Sequence, residues 1–491
     1  MQNKKSNFNQ ALWLAISYIC SMMVGIFSSV VLSRYFDKIQ YGTYKQIIHI
    51  YNLLLIVFQA GIPMVFTYFL PRYSRAEGAF IVKKIQKILF ILGICFSITL
   101  FLSSDLISQL MNNLELAVGL KIFSFFPLFT LPTLGVEGIY TVNKKTRFIA
   151  FYSIITRLVM LGCIIFPVIF IKNDFKIALI GWGVASFVAF IIAVIAKNKA
   201  YADVNVKEIT GLTKEVFYYS LPIMISSVIR MLFNFASQFY ISRYYGTESF
   251  AEYSNGNMTL PFAVMFIAPV RAILTPIFSK SSKDGNYNNA VKTLYSSINQ
   301  VAILMIPLII FSFCFAKEIM IFLYGDKYEN SFIYFRIMII FNFIEIFVFS
   351  GILSAIGKTK IEMFFTIICT IVLWILDFIL IKLPLSSPYI IAGSFVFMNS
   401  IVYYVMPGMY LKLKNKISVV NINIIINIIK IILHCSAICI MTWIIMAFAK
   451  EYVNIFCYLG VAFLLFYIML YFTSKIIDVK YLEAISKIVK R

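Results

Sequence analysis

Leu221-Pro222-Ile223-Met224-Ile225-Ser226-Ser227-Val228-Ile229-Arg230 opens one membrane-length apolar run, and Pro261 to Pro276, with Pro269-Val270-Arg271 inside it, forms the next. An arginine at membrane depth costs about 3 kcal/mol or more unless it reaches water, a partner or an anion. Two arginines on consecutive apolar runs, both carrying prolines, predict two helices lining a water-filled cavity for something negatively charged.

The rest of the chain sets the context. It has 491 residues, 61% of them hydrophobic, and a mean hydropathy of +0.89. That composition defines an all-α, polytopic membrane protein and excludes a soluble one. Only 13% of residues are charged, yet the net charge is +22. In a membrane protein such an excess reflects cytoplasmic loops and not nucleic-acid binding. The eight cysteines all sit inside apolar runs, so neither a disulfide nor a metal site is expected; Cys435 and Cys439 beside His434 read as ordinary helix residues. The first apolar run is too long for a cleavable signal and reads as the first membrane helix.

Fourteen membrane-length runs follow one another: 10–33, 43–70, 84–103, 120–142, 148–171, 177–196, 216–241, 252–278, 293–316, 331–355, 361–382, 388–411, 426–449 and 453–474. Internal prolines in the fourth, seventh and eighth predict kinks or local unwinding. With a cytoplasmic N-terminus, 27 of the 43 Lys and Arg fall in inward segments and ten in outward ones; Lys45, Arg157, Arg230, Arg271, Arg336 and Lys430 lie within runs. That alternation predicts a multi-pass protein of the cytoplasmic membrane with both termini in the cytoplasm. The basic stretch Lys475–Arg491 reads as an interfacial helix or a solvated tail. No segment is long enough for a soluble catalytic domain, and the P-loop, GxGxxG and HExxH motifs are absent, so the chain reads as a non-enzyme without a cofactor.

The first twelve runs repeat. Ser33-Arg34-Tyr35 matches Ser242-Arg243-Tyr244, Tyr44 matches Tyr253, Pro71-Arg72-Tyr73-Ser74-Arg75 matches Pro276-Ile277-Phe278-Ser279-Lys280, and Lys145-Thr146-Arg147 matches Lys358-Thr359-Lys360. Ala178 to Gly181 is echoed by Ile390 to Gly393, and the offsets fall between 205 and 213. Six spans per copy keep both copies in one orientation, so two pseudo-symmetric six-helix lobes are expected, with the substrate site in the cleft between them. The divisions are 1–200, 201–416, and 417–491 for two additional helices and the tail.

Two such lobes, the Gly357-Lys358-Thr359-Lys360 turn and the segment Leu323-Tyr324-Gly325-Asp326-Lys327-Tyr328 resemble the multidrug/oligosaccharidyl-lipid/polysaccharide exporter superfamily. Within it the chain looks most like the polysaccharide-unit flippases of O-antigen, lipopolysaccharide and capsule pathways, over roughly residues 8–412. Many of those have twelve spans, and the extra pair departs from that pattern. The resemblance implies a flippase for polyprenyl-diphosphate-linked oligosaccharides working by alternating access. Its partners would be the lipid-linked oligosaccharide, membrane lipids and other polysaccharide-assembly proteins. An ion-coupled exporter of small compounds and a lipid II flippase are the competing readings; a glycan polymerase or ligase would need larger outward loops.

The candidate site residues follow from helical spacing. Ser227, Arg230, Asn234, Ser237 and Gln238 share one helical face. Ser227, Arg230, Asn234 and Gln238, with Arg271 and with Arg157 near the middle of the fifth run, are the candidate substrate contacts, because guanidinium groups bind phosphate oxygens through paired, charge-assisted hydrogen bonds. The same positions also suit helix packing, and Arg157 equally suits pairing with a buried acid. Lys45 and His49 begin a second polar stripe with Asn52 and Gln59. Together with Glu345 and Asp377, Lys45 and His49 are the candidates for ion coupling or ion pairing. Arg336, near the outer end of its run, is expected to snorkel.

Overall fold

The computed structural model describes residues 2–258, 260–415, 421–449 and 453–477, the side chains of 2–12, 14–19, 415 and 475–477 excepted. From residue 478 on, the basic tail lies outside them. Among the described residues the structure is helical without strands. The chain divides into two compact units, Met1–Ala251 and Glu252–Arg491.

In the first unit, α1 (Gln2–Tyr35) turns at Asp37 into α2 (Lys38–Phe58), where the Gln40 amide donates to Asp37 Oδ1 at 2.7 Å. This satisfies one of the amides that a helix start leaves unpaired. The chain breaks at Ala60 and Gly61, both left-handed, and α3 (Ile62–Phe69) leaves at 44°. Ser74 and Glu77 cap each other at the start of α4 (Arg75–Leu110), a capping box. The fourth run divides into α5 (Glu115–Phe123), α6 (Phe126–Thr130) and α7 (Val136–Val142). Pro127 and Pro132 remove backbone donors there, and Gly135 (φ 91°) takes a left-handed conformation that admits almost no other residue. Then come α8 (Thr146–Phe170), α9 (Phe175–Ala200) and α10 (Leu212–Gly256), which is interrupted at Gly246 (φ 84°, ψ 174°).

The second unit continues with α11 (Pro261–Asp284), α12 (Asn288–Cys314), α13 (Ala316–Tyr324), α14 (Ser331–Glu345) and α15 (Ile352–Ala355). It ends with α16 (Thr359–Leu380), α17 (Pro388–Ser400), α18 (Met406–Asn415), α19 (Ile422–Ala447) and α20 (Ile455–Ile477). The last two, outside the repeat, pack on α12 and α13 and on each other. His434 and Thr473 hydrogen-bond between them at 2.8 Å, which gives that histidine a structural partner. Both units carry an exposed coat of large apolar side chains, such as Phe166, Ile195, Phe364, Leu433 and Phe472. In lipid this coat is the solvated surface.

Eleven described helices are long and apolar enough to cross a membrane, twelve if the bent α2–α3 pair is one span. Two of the fourteen expected runs fall short of that measure. The first lies partly outside the residues whose side chains are described, and the tenth is broken between Glu345 and Ile352. The repeat is visible in the breaks: Gly246 stands 209 residues after Asp37, at the corresponding turn between first and second spans. Elsewhere the copies diverge. Ser74 caps a helix, whereas its match Ser279 lies within α11. The prolines of the eighth run, Pro269 and Pro276, sit inside that continuous helix.

Gly181 and Gly393 diverge too. A Cβ on Gly181 would be driven into the Cys163 carbonyl on α8, whereas nothing lies within 4 Å of one on Gly393. Overpacking against backbone costs about 1–3 kcal/mol, more than the roughly 0.5–1 kcal/mol that alanine gains over glycine in a helix. Gly181→Ala is therefore expected to lower the midpoint of thermal unfolding in detergent and Gly393→Ala to leave or raise it. Equal effects from both would contradict the α8–α9 contact.

Candidate functional site

The long arm of α10, before Gly246, carries the polar stripe, and both its ends are tied down within the first unit. At the end near Leu212 Tyr219 stacks on Tyr68 (4.1 Å between rings), Arg72 lies over the Tyr68 ring (3.6 Å), and Tyr73 donates to Glu215 Oε2 at 3.1 Å. At the end near Gly246 Gln46 Nε2 donates to Ser242 Oγ at 2.6 Å, and Asn113 Nδ2 donates to Gln46 Oε1 (2.7 Å) and Thr43 Oγ1 (2.9 Å). Arg243 donates to the carbonyls of Gln109 and Leu110, two of those left over at the end of α4. Between these anchors Arg230 and Asn234 are exposed and share their face with Ser227 and Gln238. Pro222, Ile223, Ser226, Ser227 and Arg230 line one open pocket. Ser237 departs from the expected face: it is fully buried, in helix packing.

Lys45 and His49 reach neither of the cavities described below. Lys45 donates to Ser29 Oγ on α1 at 2.8 Å. His49 stacks on Phe235 (5.1 Å) and meets the edge of Phe250 (6.0 Å), so it packs α2 against α10.

A cavity of about 670 Å³ opens within the first unit. Arg157 and Glu137 both line it, with Asn52, Tyr152, Thr156 and Trp182 among the other walls. Glu137 comes from the first turn of α7, just past the break at Gly135, and Arg157 from α8. The break is held by Lys197. Loop charge alone assigns this residue to an inward segment, but it is 1% exposed. Its ammonium donates to Pro132 O at 2.7 Å and Leu134 O at 2.6 Å and sits 5.5 Å from the Phe66 ring. No sequence signal separates it from its neighbour Lys199; the role exists because prolines strip this stretch of its internal hydrogen bonds.

A second cavity, about 310 Å³, lies within the second unit. Arg271 of α11 and Glu345 at the end of α14 line it together with Asn257, Asn342 and Asn399. Asn342 Nδ2 donates to Glu345 Oε2 at 2.8 Å, and Arg271 Nε is buried without a hydrogen-bond partner among the described residues. The three asparagines escaped the sequence reading because they come from separate places: the turn after α10, α14 and α17. Asp377 is elsewhere in this unit, fully buried, accepting from Ser394 Oγ with Tyr253 nearby. Arg336 caps α12 by donating to Phe313 O at 2.9 Å and Cys314 O at 3.3 Å, a more specific role than snorkelling.

Solved structures share this architecture. A lipid II flippase, MurJ, in an inward closed conformation aligns with a TM-score of 0.69 at 16% identity, covering 95% of this chain and all of the other. An inward-facing multidrug-resistance transporter of the MATE family gives 0.64 at 13% identity, covering 83% of this chain and 99% of its own. A transporter from Pyrococcus furiosus, described for the reversed polarity of its binding pocket, gives 0.58 at 12%, covering 84% and 96%. The chain shares its fold with these transporters. The MatE family model matches residues 222–379, and that of the polysaccharide biosynthesis proteins matches residues 8–282. The chain belongs to the polysaccharide biosynthesis protein family. No curated protein matches it in sequence.

Proposed function

We propose that the protein flips polyprenyl-diphosphate-linked oligosaccharide repeat units across the cytoplasmic membrane, by alternating access, for a surface polysaccharide such as O-antigen or capsule. The observation that carries this reading is Arg271, a guanidinium at membrane depth lining a cavity of amides with its Nε unpartnered among the described residues. A diphosphate supplies the acceptors that such a group lacks. Arg230, on the exposed face of α10, offers a second guanidinium with Ser227, Asn234 and Gln238 beside it. Glu345 beside Arg271, and the fully buried Asp377, are the groups to which an ion or proton could couple. The protein does no covalent chemistry, and both termini face the cytoplasm.

The resemblance of fold to a structure named as a lipid II flippase supports a substrate of this chemical kind. The test reconstitutes the protein in liposomes holding the host's lipid-linked repeat unit and, separately, lipid II. Exposure of the glycan to an external lectin is then followed. Faster exposure of the repeat unit than in protein-free liposomes is expected. Acceleration of lipid II alone would favour the other substrate, and acceleration of neither overturns the reading.

A further inference from the structure

The cavity of the first unit has a chemistry that a diphosphate does not fit. We infer that it is a saccharide subsite, holding sugar rings of the transported glycan; this rests on the flippase reading above. Its volume of about 670 Å³ is that of a small-molecule site. Its charges, Arg157 and Glu137, are opposite, so the wall as a whole does not select an anion.

Both charged groups are exposed and belong to membrane-length apolar segments, where a charged side chain faces water or a polar ligand. Neither is quenched at contact distance by protein. The hydrogen bond of Arg157 among the described residues goes to the Met160 thioether at 3.7 Å, a weak acceptor, and Glu137 makes none among them.

Three hydroxyl groups of the wall have already spent their protons on backbone. Thr156 Oγ1 donates to Tyr152 O, Ser186 Oγ to Trp182 O and Thr133 Oγ1 to Thr130 O, each at 2.7 Å. What they turn to the cavity is acceptor capacity. A ligand that fits therefore brings many O–H donors, accepts from one guanidinium and lies against aromatic faces. Trp182 and Tyr152 supply the faces, and Glu137 takes two hydroxyls at once. That is the description of a polyol ring and not of a phosphate or an apolar tail.

The test uses the full chain in detergent with Trp13, Trp374 and Trp443 replaced by Phe, so that Trp182 is the sole indole emitter. The probes are oligosaccharides released by mild acid from the host's own surface polysaccharide and, separately, inorganic pyrophosphate. Saturable change of Trp182 emission by the oligosaccharides and none by pyrophosphate is expected. Arg157→Ala and Glu137→Gln should each weaken the oligosaccharide effect at least tenfold, as should the milder Thr156→Val in part, with unchanged elution as a folded monodisperse species. Arg271→Ala should leave it intact. No saturable oligosaccharide effect, or a response to pyrophosphate instead, overturns the assignment. Oligosaccharide binding without lipid-linked flipping would retain the subsite and defeat the transport reading.

Discussion

Arg271→Ala is expected to reduce surface glycan in a flippase-null host to the level of the empty vector, at normal protein abundance in the membrane. The argument runs through what is left behind. The cavity loses the positive partner of Glu345, so a carboxylate remains at membrane depth with Asn342 as its hydrogen-bond donor. At the same time the phosphate loses a charge-assisted pair, roughly twice as strong as a neutral hydrogen bond. A hydrogen bond to a charged group is worth about 1.5–3 kcal/mol, and 1.4 kcal/mol is a factor of ten. A loss of about one to two orders of magnitude in transport follows. Arg271→Lys keeps the charge without the fork and should recover only part of it. Full complementation by Arg271→Ala at normal abundance would remove the anion-binding role from this cavity.

Lys197→Met is expected to be nearly as damaging, through the fold. The substitution keeps the length and the apolar stem but leaves Pro132 O and Leu134 O without their donor. A buried acceptor stripped of its partner costs about 1–3 kcal/mol, and here there are two on one short stretch. The break in the fourth run should loosen, and with it the position of Glu137. Purified Lys197→Met should unfold at a markedly lower temperature than Lys199→Met, whose side chain is exposed and makes neither bond. Equal midpoints for the two would show that the clasp is dispensable.

These two lysines mark the limit of what the chain discloses. Apolar run length was enough to read an all-helical, multi-pass membrane protein. Polarity at membrane depth was enough to single out Arg157, Arg271 and Glu345, and both cavities prove to be lined by them. Three things were hidden. Helical spacing places Ser237 with Arg230, but a neighbouring helix buries the one and leaves the other exposed. His49 is a candidate for coupling or for a structural role on sequence grounds, and its place between Phe235 and Phe250 rests on contacts some two hundred residues away in sequence. The asparagines around Arg271 come from three separate places, and no periodicity links them. A pattern along one helix predicts which residues share a side, and only packing decides what that side meets.

The anchor of α10 near Gly246 joins parts of the chain that are made at different times. Gln46 and Asn113 are synthesised early, but Ser242 and Arg243, which complete their network and cover the last carbonyls of α4, come much later. Proteins made in sequence generally fold domain by domain from the N-terminus. Here that end of the first unit gains its closing hydrogen bonds only once α10 has been made.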